Sequence, residues 1–242
     1  RARSGSWKRR SIFIWIHRMF WTSRPMKREK KLFIGCFNKS VILTYIGVIF
    51  ALAGIFILID LQEAEQMNLV MFCLIISGLC DLFDGFIARK CNRNETQKAF
   101  GVQIDTLCDI ISFVIFPSIL LYKMAFQHHS QMVFAVSIVM IILYVLCGIT
   151  RLAWFNILAN AGSKTTYYQG VPVTYISFVV PVFYVGIQRI PFLMRNINDI
   201  FVILYGVMGF LFVANLKIKK PSGKWYVFFS VAAIVTVVLL FI

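Results

Sequence analysis

A chain of 242 residues that is 60% hydrophobic, with 24 phenylalanines, 14% charged residues and a mean hydropathy of +0.79, is too apolar for an ordinary water-soluble domain, which averages roughly 45–50% apolar. Its net charge of +15 is concentrated at one end, where residues 1–31 carry eleven Lys/Arg and one Glu. Beside apolar segments, such an arm marks a cytoplasmic side and attracts anionic lipid, which argues against nucleic acid as a partner. Six cysteines without a CxxC pair, most of them in apolar runs, argue against a disulfide or zinc framework.

In chain order, residues 1–25 (RARSGSWKRRSIFIWIHRMFWTSRP) are basic, do not begin with Met, and contain an apolar patch too short to span a bilayer. The patch reads as an interfacial helix or a signal-like segment. The following MKREKKLF reads as an ordinary start ahead of a first span. On that reading, residues 1–25 carry no function and residues 26–242 form one transmembrane domain. A span needs about 20 largely apolar residues. Seven candidates follow, at 41–59, 67–88, 102–122, 132–157, 172–188, 198–215 and 225–242. The expected fold is therefore an all-α integral membrane bundle of about seven helices.

The Lys/Arg bias sets the expected orientation. The loop after the first span, DLQEAEQ, has three acids and no base, whereas the loop after the second has Arg89, Lys90, Arg93 and Lys98. The loop after the sixth has Lys217, Lys219, Lys220 and Lys224. The N-terminus is then cytoplasmic, and so are the loops after spans two, four and six. Arg189 and Arg195, in an outer loop, conflict with this assignment.

Four aspartates, in a chain with only ten acidic residues, fall in one stretch, DLFDGFIARKCNRNETQKAFGVQIDTLCD, at residues 81–109. Helical spacing puts Asp81, Asp84, Gly85 and Ala88 on one stripe of the second span, and Gly101, Asp105 and Asp109 on one stripe of the third. Antiparallel packing brings the two stripes together near the inner surface. Four carboxylates that close cannot all stay ionised without cations. Carboxylates without His or Cys suit hard divalent ions such as Mg²⁺, Mn²⁺ or Ca²⁺. The small residues leave room for a bulky ligand or allow close helix packing, and Arg89 beside them can hold a phosphate. Asn38 and Thr44, at the inner end of the first span, read as nucleotide contacts or as capping and packing residues. Acids within a membrane also line ion pathways, but an ion-coupled transporter spreads them across the bilayer depth.

The order D-x2-D-G-x2-A-R-x11-G-x3-D-x3-D resembles the signature of the CDP-alcohol phosphatidyltransferases, integral membrane enzymes of phospholipid synthesis with a six-helix core. The interval from Arg89 to Gly101, KCNRNETQKAF, is three residues longer than the family pattern usually has. Within that family, RLAWFN (151–156), GVPVT (170–174) and NLKIKKP (215–221) are similar to the branch that makes phosphatidylserine.

The resemblance implies CDP-diacylglycerol as donor, L-serine as acceptor, two Mg²⁺ or Mn²⁺ ions, a cell-membrane location and a homodimer. It implies that Asp81, Asp84, Asp105 and Asp109 hold the metals, that Asp109 also takes the proton from the acceptor hydroxyl, and that Gly85, Ala88, Arg89 and Gly101 bind the nucleotide end. For the serine, Arg151 is the candidate partner of the carboxylate, with Asn156, Tyr168 and Thr174 nearby. Positive-inside anchoring is the other reading of Arg151. Glycerol 3-phosphate or inositol as acceptor stays open, although a phosphorylated alcohol calls for more arginines than this region offers.

Overall fold

The computed structural model describes residues 35–36, 39–60, 64–126, 130–160, 167–219 and 223–242. The chain divides into Arg1–Gly35 and Cys36–Ile242, and every described helix and strand lies in the second unit. The expected segment 1–25 and Asn38 fall outside the described residues.

The architecture is a helical bundle. Helix α1 (Lys39–Ile59) is followed by α2 (Ala64–Lys90) and by a long third rod. That rod comprises α3 (Glu95–Asp109), a π-helical stretch (Ile110–Ile115) and α4 (Phe116–Phe126). Then come α5 (Gln131–Asn160), strand β1 (Tyr167–Gln169), a 3₁₀ turn (Val173–Tyr175), α6 (Ile176–Gln188), the short α7 (Pro191–Arg195), α8 (Ile197–Val213), strand β2 (Lys217–Lys219) and α9 (Gly223–Leu240). Among the described residues, four helical stretches are long and apolar enough to cross a membrane: Ser40–Ile59, Gln66–Lys90, Glu95–Phe126 and Gln131–Leu158. Val173–Gln188, Ile197–Val213 and Trp225–Leu240 are shorter apolar helices. Each of the seven expected spans thus corresponds to a helix.

The break in the third rod has a chemical cause. Pro117 brings no N–H to the helix, so the carbonyl of Phe113, four residues before it, loses its usual donor. The buried Tyr144 hydroxyl of α5 donates to that carbonyl at 2.6 Å. Tyr205 of α8 donates to the Pro117 carbonyl at 2.8 Å. The two tyrosine rings pack 5.0 Å apart, and Tyr144 also meets Phe212 at 5.4 Å. The irregular turn thereby ties the third rod to α5 and α8. Elsewhere a missing side chain decides the packing: a Cβ on Gly78 of α2 would lie 1.9 Å from Ser177 Oγ of α6. Small residues are what allow membrane helices to approach this closely.

Two features were not read from the sequence. The first is an antiparallel ribbon, in which Tyr167, Tyr168 and Gln169 pair with Lys219, Ile218 and Lys217. It continues as a clip: the Gly170 N–H donates to the Leu216 carbonyl at 2.9 Å, and the Val171 N–H to the Leu211 carbonyl at 3.0 Å. Leu211 is in the last turn of α8, where carbonyls lack helical partners. Gly170 has φ +75° and sits against the Phe212 carbonyl, which a Cβ would approach to 2.3 Å. Only glycine fits such a position without strain.

The second feature is the use of bases at helix ends. Lys123 Nζ donates to the carbonyl of Ile59, the last residue of α1, at 3.3 Å. Arg189 donates to the Leu239 carbonyl in the last turn of α9 at 3.1 Å. Cations at helix C-termini are favourable. Arg189, which conflicted with the loop-charge pattern, thus has a local capping role.

Tyr144→Phe keeps the ring contacts and removes only the donor to Phe113. Such hydrogen bonds contribute about 0.6–1.7 kcal/mol in membrane proteins, so thermal unfolding in detergent shifts down by about 1–7 °C. An unchanged midpoint would mean that another group satisfies the carbonyl. Gly170→Ala costs more, about 1–3 kcal/mol, and the same melt measures it.

Candidate active site

The site starts from the turn between α2 and α3. Most of the long interval between Arg89 and Gly101 is helical, leaving only residues 91–94 as a connection. Asn94 caps α3: its side chain accepts from the Gln97 N–H at 2.8 Å, and the Asn94 N–H donates back to Gln97 Oε1 at 3.1 Å. This reciprocal cap fixes where α3 begins, and hence the height of Asp105 opposite α2.

The two stripes meet as expected. One carboxylate oxygen from each of Asp81, Asp84 and Asp105 lies within 4.8 Å of the others. Asp109, 8% exposed, stands one turn further along α3 and lies against Asp81. Asp84 is 5% exposed and accepts a short hydrogen bond from Thr44 of α1, whose hydroxyl also reaches the Ser40 carbonyl at 3.0 Å. Thr44 therefore orients a carboxylate. The donor set is all oxygen, with no His or Cys in the group, and can hold a hard metal ion.

All four aspartates line one cavity of about 250 Å³. Gly85 lines it too, and a Cβ there would meet nothing within 4 Å, so its missing side chain contributes free volume. Arg151 of α5 reaches the same cavity and is 8% exposed. Its charge acts on Asp81, Asp105 and Asp109, and its guanidinium lies 5.1 Å from the Phe155 ring. Thr174, positioned by the Gly170–Val171 clip and the 3₁₀ turn, lines the cavity and hydrogen-bonds the Asp81 side chain. Arg89 is exposed at the end of α2 and donates to the hydroxyl of Tyr226.

Other residues singled out from the sequence lie elsewhere. Ala88 and Gly101 are not among the residues lining the cavity, and Gly101 instead faces Arg93, whose Nη1 would lie 3.1 Å from an added Cβ. Asn156 accepts from Thr106 of α3 at 2.8 Å, a bond that joins α5 to α3 beside the site. The Tyr168 side chain lies outside the described residues, while its backbone belongs to the ribbon. Conversely, four cavity residues carried no sequence signal: Tyr175, Phe178, Tyr226 and Phe229. In a chain with 24 phenylalanines an aromatic residue does not stand out, and only tertiary packing brings these four to the aspartates.

Comparison with known proteins agrees with this geometry. The family model described as CDP-alcohol phosphatidyltransferase matches residues 37–211. An archaetidylserine synthase of Methanothermobacter thermautotrophicus is 34% identical over 119 residues, 49% of this chain and 47% of that protein. A CDP-diacylglycerol–serine O-phosphatidyltransferase of Helicobacter pylori is 27% identical over 198 residues, 80% of each chain. One of the same description from Methanocaldococcus jannaschii is 29% identical over 164 residues, 67% of this chain and 70% of that one. With the family model covering most of the bundle and every aspartate of the site, the chain belongs to the CDP-alcohol phosphatidyltransferases.

Proposed function

We propose that this enzyme transfers the phosphatidyl group of CDP-diacylglycerol to the hydroxyl of L-serine, giving phosphatidylserine and CMP. The observation that carries the reading is one small cavity holding four carboxylates and a single buried arginine. The names of the Helicobacter pylori and Methanocaldococcus jannaschii relatives support the same substrates, and that of the archaetidylserine synthase supports serine as the acceptor.

Asp81, Asp84 and Asp105 would hold divalent metal, and Asp109 would contribute to holding a second ion. Two bound Mg²⁺ or Mn²⁺ ions would neutralise the donor pyrophosphate and the departing CMP. Thr44 fixes Asp84 for this task, and Arg89 faces the phosphates at the cavity mouth. Arg151 pairs with the serine carboxylate, and Thr174 fixes the Asp81 carboxylate alongside it. Asp109 accepts the hydroxyl proton as the serine oxygen bonds to the phosphatidyl phosphorus. The bond from that phosphorus to the CMP oxygen breaks, and CMP leaves with the electron pair.

The loop charges support a cytoplasmic orientation for this end of the bundle, and the proposed location is the cell membrane. At that depth the donor's tails stay in lipid while its nucleotide reaches water. An acceptor with its own phosphate would bring extra charge to a wall that offers it one buried cation, so serine fits better than glycerol 3-phosphate. A transporter reading is weakened because the acids converge on one cavity instead of crossing the bilayer.

The deciding assay is CMP release by purified protein given CDP-diacylglycerol, metal, and serine, glycerol 3-phosphate or inositol in parallel. Release requires serine and stops with chelator. Asp109→Asn lowers kcat by about 10²–10⁴-fold, the range of a general base. Release with another alcohol alone would overturn the acceptor assignment and leave the metal site standing.

Metal binding has its own readout. Mn²⁺ titration followed by electron paramagnetic resonance shows tight binding to the wild type. Asp84→Asn weakens it by about tenfold or more, equivalent to at least ~1.4 kcal/mol. Equal affinity in the variant would remove Asp84 from the ligand set.

A further inference from the structure

We propose that α9 selects the acceptor, with Phe229 as the wall that limits which alcohols fit beside Arg151 and Asp109. The inference rests on the function proposed above and names the part of the site that sets its substrate.

The argument begins with position. The family match ends at residue 211, whereas α9 spans Gly223–Leu240. Two side chains of this additional helix, Tyr226 and Phe229, nevertheless line the cavity that contains the four aspartates. The helix packs against α2, which carries Asp81 and Asp84, and against α6, which begins just after Thr174.

Its placement is pinned at two points. Tyr226 accepts a hydrogen bond from Arg89, whose guanidinium also lies 5.7 Å from the ring, and Phe86 packs on Tyr226 at 5.8 Å. One turn further on, Phe229 packs on Tyr175 at 5.3 Å and on Phe178 at 5.2 Å. Tyr175 is the last residue of the 3₁₀ turn that presents Thr174, and Phe178 lies in the first turn of α6. Phe229 is therefore held between neighbours that themselves face the cavity.

A phenylalanine ring at this point discriminates in two ways. It occupies volume in a cavity of only about 250 Å³. It also offers no hydrogen bond, so an acceptor carrying further hydroxyl or phosphate groups would desolvate them without compensation. Rejection through bulk and unpaired polar groups is a general route to specificity. A single methylene in an apolar pocket changes kcat/KM by about 10–200-fold.

The test compares L-serine with L-homoserine, one methylene longer, and with inositol, in wild type, Phe229→Ala, Phe229→Leu and Val227→Ala. Val227 lies on the same helix and is 64% exposed, away from the cavity. In Phe229→Ala the serine-to-homoserine ratio of kcat/KM falls by about tenfold or more. The KM for CDP-diacylglycerol stays within about twofold, which a general disturbance of the fold would not leave untouched. Phe229→Leu, which retains apolar bulk, lies between wild type and Phe229→Ala, and Val227→Ala keeps the wild-type ratio.

An unchanged ratio in folded Phe229→Ala overturns the inference while leaving serine transfer intact; should that variant fail to fold, an unchanged ratio in Phe229→Leu does the same. A wild type that uses another alcohol overturns the serine assignment instead, and the wall is then judged by that alcohol against its one-carbon-longer homologue. A folded wild type inactive with every alcohol overturns both.

Discussion

The structure depends on placing four carboxylates from two helices around one cavity inside an apolar bundle. Like charges that close repel strongly where the dielectric is low, and no packing of leucines compensates for that. The arrangement makes sense only with cationic partners. The chain supplies one of its own in Arg151, with Arg89 and Arg93 near the rim, and leaves an all-oxygen donor set for metal. Much of the surrounding architecture serves to hold these groups. The Asn94–Gln97 cap sets the height of α3, Thr44 orients Asp84, and the Thr106–Asn156 bond joins α5 to α3 within reach of Arg151.

The parts of the site differ in how they are built. Asp81, Asp84, Asp105 and Asp109 lie on two helices joined by a connection at residues 91–94, so local helical geometry nearly suffices to assemble them. The opposite wall of the cavity is assembled from α5, the turn after β1, α6 and α9, which are distant in sequence. It relies on long-range fastenings: the ribbon between β1 and β2, the Val171–Leu211 clip and the Tyr226–Arg89 contact. Such a division means that a change in the distant elements need not disturb the two aspartate stripes.

The same division explains what could be read from the sequence. The helices were legible because runs of about 20 apolar residues leave few alternatives in lipid. The aspartate cluster was legible because a period of 3.6 residues projects i, i+3 and i+4 onto one face. Arg151 and Thr174 were legible as rare polar groups at the ends of apolar spans. The ribbon was not, since its strands are three residues each and their pairing is nonlocal. The bond between Asn156 and Thr106 was not legible either, since the two are fifty residues apart in the chain. The π-helical stretch hinges on Pro117, visible in the sequence, and on Tyr144, whose relation to it is not.

Charge at the opposite end of the bundle follows a different logic from charge at the site. Lys123, in the last turn of α4, and Arg189, just after α6, run against the bias of Lys/Arg toward the expected cytoplasmic side, yet each donates to a carbonyl in the last turn of a helix. A helix end in or near lipid leaves carbonyls without water, and a long basic side chain can satisfy one while its charge opposes the helix dipole. The two bases thus stabilise the C-terminal ends of α1 and α9, the helices that contribute Thr44 and Phe229 to the site. Loop charge in this chain therefore has two origins. The clustered bases set the expected orientation, while Lys123 and Arg189 serve helix ends, so an arginine such as Arg189 against the trend does not by itself count against that expectation.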